Sequence, residues 1–344
     1  MTASRPARTT PRLSRRRFVQ AGAASASALT ITGAPWIANA AVAEGKVFKL
    51  ATLAPQNSSW MKAFQAAGRE IKERTGGSLS YKLYGGGVMG DEGAMIRKMR
   101  TGQLDGAAVT SVGLGEIHKQ LLMLQLPMVF RSVEELDRTR DKMSDKLNKL
   151  MADSNFRLLG WGDVGFGYFF SNTPVASPAE LKQTKMWVWD VDPISKQVYR
   201  SAGVNAVPLS VPDVLPSLQT GVIDAFVNAP YAAIALQWYT KVKYVTNLKF
   251  NAVIGGSVVT QKAYDSITEQ ERQIVAEVSA KYHGQLLAQI RGDNKRAITT
   301  LQSKGITPVE PDAAAWKKLA EAVRKEMTGG HFDSALVNEM LSYV

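Results

Sequence analysis

The chain has 344 residues, 45% hydrophobic and 21% charged, with no cysteine. That length accommodates two domains of ordinary size, and the absence of thiols excludes disulfides, thiolate catalysis and cysteine-based metal or iron–sulfur sites. Net charge is +12, but six arginines (Arg5, Arg8, Arg12, Arg15, Arg16, Arg17) and no acid fall in the first 40 residues; the 36 basic and 30 acidic side chains that remain are spread along the chain, which argues against a nucleic-acid partner.

Residues 1–40 read as an export signal. Ser14-Arg15-Arg16-Arg17-Phe18-Val19 has the form of a twin-arginine motif, and Ala38-Asn39-Ala40 fits an A-x-A cleavage site. The stretch between them is too short and too rich in small residues to anchor the chain in a bilayer, and no later stretch is long enough to cross one. The expected location is the periplasm, reached by the twin-arginine route.

Val47–Leu53 is predicted as a strand, and Ser58 or Ser59 as the cap of a helix over Trp60–Arg74, whose Met61, Phe64, Ala67 and Ile71 share one face. Leu79–Tyr84 alternates as a strand. Glycines follow at 85–87 and 90, then a helix from Asp91 with Met95, Ile96 and Met99 inward. Leu121–Phe130 is an apolar segment stopped by Pro127. Ser132–Met151 reads as one polar surface helix, Phe156–Trp161 as a strand, and Gly165–Ser171 as a strand crossing into a second lobe.

Met186–Trp189 is short, aromatic and β-prone, so it reads as a buried strand. Asp192 can cap the next helix, with Pro193 at its first position. Ser210 can cap another, ending at Gly221, and Val222–Asn228 is again a strand. Val253–Thr260 crosses back. A long helix starts near Ser266, where Ser266/Glu269 and Thr268/Glu271 both have capping-box spacing, and runs to Gly305. At about 1.5 Å per residue it would reach roughly 57 Å, with Gly284 and Gly292 as weak points. Ala313–Met327 is a final amphipathic helix.

The order contains a repeat. Residues 101–106 read TGQLDG and residues 220–225 read TGVIDA. In each a helix stops at glycine, an aspartate sits three residues on, and a strand follows. Two α/β units that end alike imply two similar lobes and a cleft at the carboxyl ends of their strands. Thr110 and Ser111 would lie near one wall and Asn228 near the other.

Two motifs compete with that reading. Gly85, Gly87 and Gly90 match G-x-G-x-x-G between a strand and a helix, the setting of a dinucleotide site in an exported oxidoreductase. The acid to match, Asp105, stands at the start of the next strand, whereas the fingerprint needs it at a strand end. Asp91 and Glu92 open a helix, where negative charge is favourable; they can also offer polar contact to a ligand. His118, His283 and His331 share no metal spacing, and no G-x-S-x-G, H-E-x-x-H or Walker motif occurs. No catalytic residue, cofactor or metal ion is expected.

The segments LATLAPQNSSW (50–60), YGGGVMG (84–90), TGQLD (101–105), LQLPMVF (124–130), GFGYFFSN (165–172), LKQTKMWVWD (181–190), NAVPLS (205–210) and LQTGVIDAFVNAP (218–230) fall in the order of a known family. The chain resembles the extracytoplasmic solute receptors of TRAP (tripartite ATP-independent periplasmic) transporters, the DctP-type binding proteins, over roughly Phe48 to Asn247. The resemblance implies a periplasmic binding protein fold, with two α/β lobes, hinge strands and a long bracing C-terminal helix. Lobe I would take 41–164 and 253–292, and lobe II 165–252 and 293–344. It also implies hinge closure on a small molecule and delivery to membrane permease subunits. A lipid shuttle that hands its cargo to a helical-repeat periplasmic protein is a further reading, and a homodimer through the long helix stays open.

The chain departs from the family where ligand is gripped. Family members usually carry an arginine in the strand L-K-G-x-K-x-R-V; here Trp187 holds that place. A second family arginine is replaced by Gly167, and a glutamate by Val227, while Asn228 remains. Arginine grips a carboxylate through two parallel hydrogen bonds. Tryptophan offers an apolar face and one N–H, and an unpaired buried carboxylate costs several kcal/mol. The expected ligand is therefore uncharged or largely apolar, held by Trp187, Trp189, Phe166, Tyr168, Tyr231 and Trp60, with Asn228, Thr110, Ser111 and Glu92 as the polar contacts. An organic acid countered by a metal ion or by Lys185 is the alternative.

Overall fold

The computed structural model describes residues 45–344; the predicted export signal lies outside them. Lobe I opens with β1 (Lys46–Thr52), α1 (Ser59–Arg74), β2 (Leu79–Tyr84), α2 (Glu92–Arg100) and β3 (Gly106–Thr110). α3 (Ser111–Ile117), a 3-10 turn over Lys119–Gln125, α4 (Val133–Lys142) and α5 (Ser144–Asp153) lead to β4 (Phe156–Ser171). Lobe II follows with β5 (Trp187–Trp189), α6 (Pro193–Ala202), β6 (Val207–Leu209), α7 (Val211–Thr220), β7 (Ala225–Asn228), α8 (Pro230–Ala235) and β8 (Tyr244–Thr246). The chain returns through β9 (Asn251–Thr260) to α9 (Gln261–Asp265) and α10 (Glu269–Ser303). It ends with β10 (Thr307–Val309), α11 (Ala313–Met327) and α12 (Ser334–Leu341).

The lobes share a plan. In lobe I, β1 pairs in parallel with β2 on one side and β3 on the other, and β9 runs antiparallel beside β3. In lobe II, β5 pairs in parallel with β6 and reaches β7 through a parallel Met186–Ala225 bridge; β4 runs antiparallel beside β7. Each lobe therefore has a β-α-β-α-β unit closed by a returning strand. β4 and β9 pair with each other from Phe156 to Gly167, with register shifts at Leu158/Gly160 and Asp163/Gly165. Such bulges bend a strand, and here the bent pair joins the two sheets. Gly165 has φ +132°, and a Cβ there would lie 2.7 Å from Asn294 Nδ2 on α10, so only glycine fits where hinge and long helix touch.

Local chemistry explains the element ends. Ser58 caps α1 through the Met61 N–H, Asp91 caps α2, and Asp192 caps α6 by accepting from the Ile194 and Ser195 N–H groups. Gly203 and Gly221 end α6 and α7 with φ +69° and +72°. The long helix uses Thr268 and Glu271 as its capping box, while the Ser266 hydroxyl donates to Ala263 O. At 35 residues it reaches about 52 Å, and it continues through Gly284 and Gly292.

Two expectations need correction. The helix expected over Ser132–Met151 is two helices that break at Met143, a side chain fully buried in the core. The two strands expected between Phe156 and Ser171 are one strand kinked at the bulges. α12 was not anticipated.

The bracing helix is tied down by ions as well as packing. Arg140 of α4 and Arg291 of α10 both hold Asp163 on β4, at 2.9 and 3.0 Å, and both also hold Asp137. Arg140 and Asp163 are buried, so loss of either would leave the other with one ion partner in place of two. Asp293 of α10 accepts from the Ser59 hydroxyl at the start of α1.

Candidate functional site

The carboxyl ends of β1, β3, β5 and β7 open on one cavity of about 160 Å³ that reaches solvent. That is room for a molecule of about the size of benzene. Lobe I lines it with Thr52, Trp60, Glu92, Thr110 and Gln125, and lobe II with Trp187, Trp189, Val211, Asn228 and Trp238. The hinge strands add Asp163, Asn251 and Ser257, and α10 adds His283 and Leu286. Among the described residues, no lysine or arginine lines it.

The aromatic wall is pre-set. Trp187 and Trp189 alternate onto one face of β5, with ring centroids 6.2 Å apart, and Trp238 meets Trp187 edge-on at 5.2 Å. Trp187 Nε1 donates to Leu209 O at 3.0 Å, Trp189 Nε1 to Asp91 Oδ2 at 2.7 Å and Trp60 Nε1 to Asp163 O at 3.1 Å. All three indoles thus give their one donor to the protein and present carbon to the cavity.

The polar groups are mostly engaged too. Glu92 is 1% exposed. Its Oε1 accepts from the Thr110 N–H, its Oε2 from the Gly113 N–H, and the Thr110 hydroxyl lies 2.8 Å from Oε2. Burial pushes its pKa up to about 8 against those hydrogen bonds, so at neutral pH the acid is mainly uncharged. His283 contacts Ser279 O through Nδ1 at 2.7 Å and the Ser257 hydroxyl through Nε2 at 2.8 Å. A carbonyl can only accept, so Nδ1 carries the proton. Burial lowers the pKa of this imidazole, and it stays neutral.

Two bridges cross the cleft. Asp91 accepts from Glu92 N–H through Oδ1, and its Oδ2 takes Trp189 Nε1 and, at 3.3 Å, the Val211 N–H of lobe II. Gln125 Nε2 donates to Asp192 Oδ2 at 3.0 Å, while the Ser111 hydroxyl bonds Gln125 Oε1. Burial raises the pKa of both Asp91 and Asp192.

Of the residues expected at the site, Trp60, Glu92, Thr110, Trp187, Trp189 and Asn228 line the cavity. Ser111, Phe166, Tyr168 and Tyr231 stand outside the lining. Ser111 is fully buried on Gln125. Tyr231 backs Trp60 at 4.9 Å between centroids, with its hydroxyl on Ser59. β4 gives the cavity only Gly162, Asp163 and Val164, at the second bulge. Beyond it the strand enters lobe II: Tyr168 pairs with Asn228 in the ladder, and Phe166 lies under Lys249 Nζ at 5.0 Å.

The sequence reading missed Gln125, Asp192, Trp238, Asn251 and His283 as wall residues. Gln125 had a signal: a lone amide inside the apolar run LQLPMVF. Asp192 before Pro193 signals a helix cap and nothing of its second partner. Trp238 and Asn251 come from outside the repeated units, where no pattern pointed to the cavity.

Neither counter-charge is found at this cavity among the described residues. Lys185 is exposed, with Nζ on Gly221 O at 2.9 Å, and is not in the lining. No group of three metal-ligating side chains forms among the described residues. The glycine loop does not match a phosphate cradle. Gly86 and Gly87 N–H donate to Ala54 O and Thr52 O at 2.9 and 3.1 Å, and the helix behind the loop begins with two acids.

A cleft between two α/β lobes of like plan, walled by side chains already bonded to the protein, is a place to hold a solute. Residues 50–329 match the model of the DctP family, bacterial extracellular solute-binding protein family 7, and the chain belongs to that family. This overturns the oxidoreductase reading. A solute-binding protein of Chromohalobacter salexigens is 27% identical over 221 residues, 63% of this chain; the match spans 65% of that relative, just under two thirds. A TRAP periplasmic solute-binding protein of a Sulfitobacter species, with bound β-D-galacturonate, superposes with TM-score 0.81 at 21% identity, over 86% of this chain and 100% of the other. A Citrobacter koseri TRAP receptor with bound D-glucuronate gives TM-score 0.79 at 26% identity, over 86% and 98%.

Proposed function

We propose that this TRAP receptor takes an uncharged, largely apolar small molecule, closes on it by hinge motion and delivers it from the periplasm to membrane permease subunits. The observation that carries the proposal is the lining: indole faces on lobe II, a largely protonated Glu92 on lobe I, a neutral His283, and no cation. A carboxylate placed there would lose its hydration without a counter-charge, at a cost of several kcal/mol. A side chain at 167 would have to displace its neighbours in this packing, because a Cβ there would meet Asn251 Oδ1 at 2.4 Å and Val227 Cγ1 at 2.9 Å. In this reading Trp60, Trp187 and Trp189 sandwich the ligand, Asn228 and Thr110 offer polar contact, and Ser111, Phe166, Tyr168 and Tyr231 support the wall from behind.

The second reading is a sugar acid, favoured by the uronates bound in the Sulfitobacter and Citrobacter receptors. Calorimetric titration separates the two. Neutral hydroxylated arenes should bind, while D-glucuronate and D-galacturonate should give no heat of binding. Micromolar binding of either uronate, with none of the neutral compounds, would replace the first reading by the second. Export by the twin-arginine route belongs to the same proposal; its test is loss of periplasmic protein when Arg15, Arg16 and Arg17 are all changed to lysine.

A further inference from the structure

Asn251 is a cavity residue whose buried side-chain oxygen is left open. It begins β9, directly opposite Gly167 in the β4–β9 ladder. It is only 8% exposed, and its Oδ1 has no hydrogen-bond partner among the described residues. An unmet buried amide oxygen is costly, so such groups are rare unless something else meets them.

Its position suggests what does. Asn251 lines the main cavity and also a small recess formed with Pro127, Ile194, Ser195, Val198, Tyr199 and Phe250. It therefore stands at the passage between indole wall and recess. Its Oδ1 rests in the space that a side chain at 167 would need. The terminal torsion of asparagine is soft, so a turn about it brings the oxygen from the glycine toward the cavity.

We propose that Asn251 is the specificity-determining residue of this receptor. Its side-chain carbonyl accepts a hydrogen bond from an O–H or N–H of the ligand, whose apolar body lies against Trp187 and Trp189. The ligand class is then a neutral aromatic or alicyclic molecule bearing a donor, such as a phenol, an alcohol or an indole. A carboxylate has no hydrogen to give this oxygen and would find only the neutral amide N–H₂ to meet its charge. A site built to hydrogen-bond a ligand group rejects the analogue that lacks it, because the buried partner is then left unpaired.

This inference rests on the neutral-ligand reading, and its test keeps the two apart. The probes are pairs that differ in the donor: 4-methylphenol and toluene, indole and 1-methylindole, cyclohexanol and methylcyclohexane. Binding is read by calorimetry and tryptophan fluorescence for the full mature chain, Asn251→Leu and Asn251→Asp. The unaltered protein should prefer the donor member by about tenfold. Asn251→Leu, close in volume, should bring each pair within about twofold while binding the donor-free member at least as well. Asn251→Asp keeps an acceptor and should keep the preference. If the preference survives in Asn251→Leu, or is absent from the unaltered protein although both members bind, Asn251 is not the determinant and the neutral-ligand reading stands. If D-glucuronate binds and no neutral probe does, both fail.

Discussion

Lobe I and lobe II repeat one backbone and carry different side chains to the cavity. Strands β2-β1-β3 correspond to β6-β5-β7, with β9 and β4 as the returning partners. Gly102 and Gly221 end equivalent helices with φ +75° and +72°. At the carboxyl ends the match stops. The first residue of α2 is Glu92, and the first of α7 is Val211. The strand facing lobe I's polar rim carries two tryptophans. A repeated scaffold thus fixes where a ligand sits, and unrepeated residues at strand ends fix what it is. The bridges follow the same asymmetry: Ser210 makes no cap bond to its own helix, and Asp91 of lobe I receives the α7 N–H instead.

The aromatic half should be the more sensitive. Trp187→Ala removes a buried indole wedged against Trp238 and leaves Leu209 O without its donor. The expected loss is about 3–5 kcal/mol of folding stability, with loss of neutral-arene binding, read by urea unfolding and calorimetry. Thr110→Val on the opposite wall should retain arene binding within about tenfold. Equal effects on the two sides would break the contrast.

The polar half should instead carry the pH response. Glu92 has its folded pKa raised to about 8 from an ordinary 4.5. A raised pKa means the folded state holds the proton longer. This stabilisation is whole below about pH 4.5 and is lost as pH rises through about 8. Between about pH 6 and 9 the loss is about 2–3 kcal/mol. Asp91 and Asp192, also raised by burial, lose stability in the same sense as pH rises above their ordinary carboxylate range. His283 acts oppositely: its lowered pKa gives stability that is present above its unfolded pKa and falls as pH drops below it. Melting temperature should therefore decline from pH 6 to 9. Glu92→Gln should flatten that decline while starting lower, since the amide N–H₂ faces the Gly113 N–H. A flat profile in the unaltered protein would show an ionised Glu92 throughout.

Much of this scaffold was legible because it is written in short-range signals. The TGQLDG/TGVIDA repeat, Asp192-Pro193, and the glycines at 102 and 221 act on their own few residues, and the structure uses each of them. Trp187 and Trp189 were legible as a pair because strand alternation is local. What escaped depends on distant partners. Whether Phe166 and Tyr168 enter the cavity is decided by a bulge at Asp163/Gly165, which exists because β9 pairs beside it. In GFGYFFSN only Gly165 marks that bulge, and one glycine does not say which way the strand turns. Gln125 faces the cavity because Asp192, 67 residues on, needs a donor. The break at Met143 follows from burial of one side chain that helical periodicity alone would leave on a polar helix.

Asp91 tests whether the lobes depend on each other. Asp91→Ala removes the α2 cap and the acceptor for Trp189 and Val211 at once. A cap is worth about 1 kcal/mol and a hydrogen bond to a charged group about 1.5–3 kcal/mol, so a total near 2 kcal/mol is expected after water replaces part of the loss. Asp91→Asn keeps an acceptor and should recover most of it. Because two of the three bonds cross the cleft, small-angle scattering of Asp91→Ala should show a larger radius of gyration, and ligand affinity should fall. An unchanged radius would mean that the bridge follows closure and does not support it.

The smallest effect should be the most even. Asp105 Oδ2 accepts from Lys49 N–H at 2.8 Å while its own N–H donates to Lys49 O at 3.0 Å. Asp224 does the same with Lys185, at 2.7 and 3.0 Å. Each aspartate therefore latches its strand to the neighbouring parallel strand just where β3 and β7 begin. The carboxylates sit at the rim of their sheets, far along the strand from the cavity, and each makes one bond to a backbone N–H that water could otherwise serve. Asp105→Ala and Asp224→Ala should each cost about 1 kcal/mol, within a few tenths of one another. They should add in the double variant, since sites with no shared partner are independent, and neither should change arene affinity. A large excess cost in one lobe, or a shift in binding from either, would mean that the repeat is a likeness of sequence that the two lobes use for different ends.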